Sequence, residues 1–185
     1  MTETELLQGC LRENRAAQHE LFRRYAGKMM TVCLRYARHH AEAEDVLQDA
    51  FIRIFNNLNQ FQGKGSLEGW IRRIVINTSL KNIQKMSFQK EGLGGLESVP
   101  EMSMLPDVYA HLGEQELMRL IEQLPHGYRT VFNLFVIDGF NHAEIAQMLQ
   151  IEEGTSRSQL AKARYMLQKF ILQQSKNRIV KLFDY

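Results

Sequence analysis

Proline and cysteine are scarce in this chain, with three and two residues among 185. So few prolines impose few helix breaks, and with 12 Gly, 44% hydrophobic and 24% charged residues the composition describes a helix-leaning globular protein, not a disordered or fibrous one. Cys10 and Cys33 both fall within helical apolar patterns, which reads as two buried free thiols rather than a disulfide or a metal pair. That usage fits a reducing cytoplasm. The six histidines, His19, His39, His40, His111, His126 and His142, show no metal-ligand spacing, so neither a metal nor another cofactor is expected. No apolar run approaches the ~18 residues of a membrane span. The acidic start, Met1 to Glu5, lacks the basic-then-apolar order of a secretion signal, so a cytoplasmic location without direct membrane insertion is expected.

What is present is an uneven distribution of charge. The net value of +2 conceals a basic stretch from Phe61 to Lys90, where six bases face the single acid Glu68, and an acidic one from Glu91 to Leu124, where seven acids face Arg119. Local basic patches matter more to a polyanionic partner than the total does. The length suits two small domains, each with a modest core. Helical periodicity fails from Met86 to about Gly113, where Gly92, Gly94, Gly95, Pro100 and Pro106 stand among acids and serines. The expected division is therefore residues 1–86, an acidic flexible connector over 87–112, and residues 113–185. A connector of this length is long for a passive joint, which points to a functional path.

The fold class expected is all-α. In the first domain, Leu6 to Leu11 and Ala16 to Ala37 carry helical apolar patterns, and Glu42 to Leu58 carries an unbroken stripe of Val46, Leu47, Ala50, Phe51, Ile54, Phe55 and Leu58. The opposite side of that third helix presents Asp45, Gln48, Asp49, Ile52 and Arg53, and an isoleucine among acids reads as a docking surface. Asp45 and Asp49 are paired carboxylates one turn apart, but without a His, Lys or metal motif beside them they are read as partner contacts. A Gly-rich loop, Phe61 to Ser66, precedes a helix from Leu67 to about Lys85 whose bases alternate with Trp70. Positive charge beside aromatic rings suits single-stranded nucleic acid, where bases stack and phosphates are neutralised. Trp70 fits a core role equally well.

In the second domain, Glu116 to Leu124 and Tyr128 to Ile137 read as helices, and Asn141 to Phe170 as a short helix, a turn and a longer helix. Thr155 or Ser156 is the expected cap of the longer one. Leu160, Ala163, Leu167 and Ile171 then gather on one side, while Ser158, Lys162 and Lys169 face away with Arg157 and Arg164 on a flank. This is the layout of a helix-turn-helix, whose second helix enters the major groove. An ordinary helical hairpin with a solvated basic face also fits that stretch taken alone. For the tail, Gln173 to Tyr185, three readings stand: packing on the second domain, docking a partner, or fraying.

The order of these elements resembles the extracytoplasmic-function (ECF) group of bacterial sigma-70-type RNA polymerase sigma factors. Glu44 to Phe51 resembles the family segment that grips the polymerase β′ clamp helices. Phe61 to Ser66, with Leu67, Trp70, Ile71, Arg72, Arg73, Ile74 and Asn77, resembles the promoter-melting segment, and Ile145-Ala146, Gly154-Thr155, Arg157-Ser158, Leu160, Ala163 and Arg164 resemble the fourth-region helix-turn-helix. The resemblance implies a factor that acts by binding, with no catalytic residues of its own. It implies that Asp45, Gln48, Asp49, Ile52 and Arg53 meet core polymerase. Phe61, Lys64, Ser66, Trp70, Arg72, Arg73 and Asn77 would capture the minus-ten strand, with Asn77 at the position that helps hold a flipped base. Thr155, Arg157, Ser158, Gln159, Ala161 and Lys162 would read the minus-thirty-five duplex, with Arg164 on phosphate, and the second domain would also meet the β flap. Membrane-bound anti-sigma factors are common in the family, so any membrane association is expected to be indirect.

Three positions depart from the family pattern. Gln150 stands where Gly is usual in the turn, Ser156 where an apolar residue packs, and Gln159 where Arg is common. Ser156 is expected to bond backbone or cap the helix, and Gln159 to favour adenine where Arg favours guanine. The competing readings are a self-standing helix-turn-helix regulator with an N-terminal dimerising or sensing bundle, and a helical adaptor whose charges are only solvated faces.

Overall fold

A computed structural model describes residues 1–87 and 113–183, and every regular element among them is helical. The chain divides into two compact units, Met1–Gly92 and Leu93–Tyr185. Most of the expected connector, residues 88–112, lies outside the described residues.

The first unit contains α1 (Glu3–Leu11), α2 (Arg15–Tyr36), α3 (His40–Asn57) and α4 (Leu67–Ser87), with a 3-10 turn at Leu58–Gln60. Local chemistry sets their starts. Thr2 and Glu5 form a reciprocal capping box on α1, and the Asn14 carboxamide accepts from the amides of Ala16 and Ala17 at 2.9 and 3.1 Å. Helices α2, α3 and α4 pack against one another, and α1 lies on α2. Most of the stripe expected on α3 is inside: Val46, Leu47, Ala50, Phe51, Ile54 and Leu58 are buried and Phe55 half-buried, and α2 and α4, on which α3 packs, bury Leu21, Tyr25, Met29, Ile71 and Val75. Each fully buried side chain of this size contributes about 1.5–3 kcal/mol.

Cys10 and Cys33 are buried free thiols, as expected. Burial pushes the Cys33 thiol up to about 11, which keeps it protonated and unreactive. One buried carboxylate breaks the apolar pattern. Glu42, in the first turn of α3, accepts from the Arg38 amide at 2.8 Å and from Asn82 Nδ2 at 3.2 Å, so it ties the α2–α3 corner to α4.

The second unit contains α5 (Glu114–Glu122), α6 (His126–Phe132), a π-helical turn (Asn133–Ile137), α7 (His142–Leu149) and α8 (Glu153–Phe183). The single helix expected over Tyr128 to Ile137 starts at His126 and loosens into the π turn, where the Asp138 amide donates to the Asn133 carbonyl at 2.9 Å. Helix α8 packs on α5, α6 and α7, burying Leu160, Ala163, Leu167 and Ile171. It starts before the expected cap. Thr155 and Ser156 lie inside its first turns, and the chain enters the helix at Glu153, whose carboxylate suits the positive end of the helix dipole. Nor is the tail a separate element, because α8 continues without a break to Phe183.

Helix α7 ends on Gln150 at φ 57° and ψ 44°, the left-handed conformation that glycine adopts without cost. A β-carbon there costs about 1–2 kcal/mol, offset in part by the greater freedom glycine has when unfolded. Gln150→Gly is therefore expected to stabilise the second unit by roughly 0.5–1 kcal/mol. The measurement is amide-exchange protection of α7 and the first half of α8, and slower exchange than in the parent is the expected outcome.

Candidate nucleic-acid interface

Three outward faces carry the residues singled out in the sequence. On α3, Asp45, Gln48, Asp49 and Arg53 are exposed, and Ile52 shows 54% of its surface although it sits mid-helix. Phe22 of α2, 42% exposed, stands edge-on to the buried Phe51 of α3 at 4.7 Å. The acids and the isoleucine thus share one solvent-facing surface, held in place by the buried stripe beneath.

The second face belongs to α4 and the loop before it. Gly63 and Gly65 take φ of 70° and 90°, which L side chains rarely adopt, so the loop brackets exposed Lys64 between two left-handed residues. Ser66 caps α4, its hydroxyl accepting from the Gly69 amide at 3.1 Å. Phe61 and Trp70 are both half-buried, with ring centroids 5.7 Å apart and planes tilted by 54°. Each ring has one part in contact and one part open, so core and surface roles coexist. One turn and two turns beyond Trp70, Arg73 and Asn77 are exposed on the same side, followed by Lys81. Arg72 is not brought there. It lies about 200° around the axis from Trp70 and is partly covered.

The third face is on α8. Arg157 and Ala161 are exposed, and Thr155, Ser158, Gln159, Lys162 and Arg164 are half-buried; Arg157 and Gln159 lie about 200° apart around the axis, so these residues are not all on one side. Arg157 pairs with Glu153 one turn earlier. The Ser158 hydroxyl donates to the Thr155 carbonyl at 3.0 Å. Lys162 lies over the Tyr128 ring and Arg164 over the Phe135 ring, each with its charge centre 5.9 Å from the centroid. The first helix of the motif is fixed by a second capping box, Asn141 with Glu144, at 2.9 Å in both directions.

Ser156 differs from the expectation. It is fully buried and bonds neither backbone nor the helix end: its Oγ lies 2.9 Å from His142 Nδ1, so a side-chain pair joins α7 to α8. The His142 ring stacks on Phe135 at 4.5 Å. Sequence reasoning missed His142, Phe135 and Tyr128. The Asn141-x-x-Glu144 signature could have placed His142 at the helix start, but no local pattern pairs residues 14 or more positions apart.

Among the described residues no three His, Cys, Asp or Glu side chains are placed to hold a metal ion, and no helix is long and apolar enough to cross a membrane.

Residues 21–88 match the family of sigma-70 region 2, and residues 114–167 that of sigma-70 region 4. The RNA polymerase sigma-H factor of Pseudomonas aeruginosa is 28% identical over 182 residues, covering 90% of this chain and 92% of that protein. The ECF RNA polymerase sigma-E factor of Escherichia coli is 29% identical over 180 residues, covering 89% and 91%. A chain in the co-crystal structure of the sigma factor RpoE with the anti-sigma factor NepR from Bartonella quintana shares the fold, with TM-score 0.51 and 18% identity over 84% of this chain and 96% of that one. The two matches fall one on each unit, in the order region 2 then region 4, and the protein belongs to the sigma-70 family. Within the family it is an RNA polymerase sigma factor of the ECF group.

Burial first, and the Arg157 guanidinium second, hold the His142 pKa below its ordinary 6.5. A base whose folded pKa is depressed takes up protons more readily when unfolded, so stability contributed above about pH 6.5 is lost as pH falls through that value. Thermal unfolding of the parent is expected to weaken from neutral to mildly acidic pH by more than that of His142→Gln, which keeps a hydrogen-bonding group near Ser156 but cannot titrate. Parallel pH profiles for the two proteins would contradict this.

Proposed function

We propose that this sigma factor binds core RNA polymerase through the outer face of α3, captures the minus-ten strand with the loop and outer face of α4, and reads the minus-thirty-five duplex with α8. The observation that carries the reading is the placement of two nucleic-acid-type faces on separate units of one chain, the first with basic and aromatic residues and the second with a basic helix-turn-helix. Asp45, Gln48, Asp49, Ile52 and Arg53 would meet the β′ clamp helices, and the second unit the β flap. Phe61, Lys64, Ser66, Trp70, Arg73 and Asn77 would hold the unpaired strand. Flipping a base costs a few kcal/mol of stacking, which the pocket must return. Arg72, on the other side of α4 from Trp70, is left out of that set.

Thr155, Arg157, Ser158, Gln159, Ala161 and Lys162 would read base edges and neighbouring phosphates, and Arg164 phosphate alone. The acidic connector between the units would follow a path later occupied by nucleic acid, from which like charge favours its release. The protein would work in the cytoplasm, acting by binding rather than by catalysis, and an anti-sigma protein is a further partner of the kind solved with RpoE.

Asn77→Ala is expected to leave polymerase binding intact and to impair opening of the promoter. Permanganate reactivity of thymines in the minus-ten region measures this directly. A clear loss with the variant supports the assignment, and reactivity equal to that of the parent overturns it.

A further inference from the structure

The half-buried cation on the recognition helix has a neighbour that the sequence motif does not include. Lys162 lies with its ammonium 5.9 Å from the Tyr128 ring centroid, and Tyr128 belongs to the first turn of α6. One residue earlier the same turn approaches α8 again. A methyl group added at Gly127 would stand 3.7 Å from Gln159 Oε1 and 3.8 Å from its Nε2, an ordinary contact distance, so the turn runs close to Gln159 without requiring glycine there. Gln159 and Lys162 are neighbours one turn apart on α8, and Lys162 meets α6 at Tyr128. Long polar side chains in free solution sample many rotamers, and ordering them on binding costs affinity. A ring under the ammonium reduces that cost for Lys162 before DNA arrives.

We propose that Tyr128, in the first turn of α6, is a shelf that pre-orients a DNA-reading side chain of α8, acting as the positioning residue for Lys162. Tyr128 acts through its ring face and not through its hydroxyl. The inference deepens the DNA-reading role proposed for α8 and rests on it.

The test uses holoenzyme, this chain bound to core polymerase, with a duplex that the holoenzyme selects from a random-sequence pool. Tyr128→Leu is expected to weaken binding about threefold, in line with an exposed cation–ring contact. Tyr128→Phe is expected to match the parent. In a Lys162→Gln background Tyr128→Leu is expected to have no further effect, while Lys162→Gln itself lowers the slope of affinity against salt by about 0.9, as one lost phosphate contact requires. Equal losses from Tyr128→Leu in both backgrounds, no loss in either, or a Phe variant as weak as the Leu variant would each overturn the proposal. If Lys162→Gln leaves both affinity and salt slope unchanged, the DNA contact itself is absent, and the reading of α8 falls together with its shelf. A measurement on the unaltered protein removes dependence on how the variants fold. The ε-methylene protons of Lys162 are expected upfield of those of exposed Lys81 because of the Tyr128 ring current, and coincident resonances would overturn the proposal.

Discussion

In α3, α4 and α8 the side chains that fill the core also decide which residues face outward, because a rigid helix cannot turn one side in without turning the other out. Leu47, Ala50, Phe51 and Ile54 commit Asp45, Asp49 and Ile52 to solvent, whereas on α8 Ser158 and Lys162, opposite Leu160, Ala163 and Leu167, are half-buried. Apolar burial is thus the constraint on which the outward faces depend. A substitution that slipped one stripe would rotate an entire binding face, which is a larger effect than loss of any one contact on it.

For the same reason much of the fold was legible before any coordinates. The buried stripes of α3 and α8 follow from helical periodicity, as do the two buried thiols, but Phe55 is only half-buried, and Ser158 and Lys162, expected to face away, are half-buried as well. What escaped depends on pairing between elements. The start of α8 is hidden because Thr155 and Ser156 are good caps in isolation, and nothing local signals that the Ser156 hydroxyl is taken by His142 of the preceding helix. The π turn at Asn133–Ile137 is equally silent in a hydrophobic pattern, although it carries the Phe135 ring on which His142 stacks. On α4, periodicity alone could have set Arg72 apart from Trp70, since two residues turn a helix by about 200°.

The helix-turn-helix departs from an apolar junction in a physically coherent way. A fully buried hydroxyl without a partner would be costly, and the imidazole 2.9 Å away supplies that partner while stacking on Phe135. The polar residue at a position usually apolar is therefore compensated by a second polar residue rather than tolerated as a defect. The left-handed Gln150 has no comparable compensation: the Ala146 carbonyl accepts from the Gln150 amide, which any residue could supply.

The two units differ in what they present: acids, an exposed isoleucine and a basic aromatic edge on the first, a basic helix with ring-supported cations on the second. A protein organised in this way is expected to act only in company, with one unit anchored to polymerase while both address DNA. The most direct measurement is size-exclusion chromatography of the purified chain with sigma-free bacterial core RNA polymerase. Co-elution at near-stoichiometric ratio is the result expected of a sigma factor whose α3 face docks on the enzyme. Separate elution of the chain and core polymerase at both low and moderate salt would contradict it.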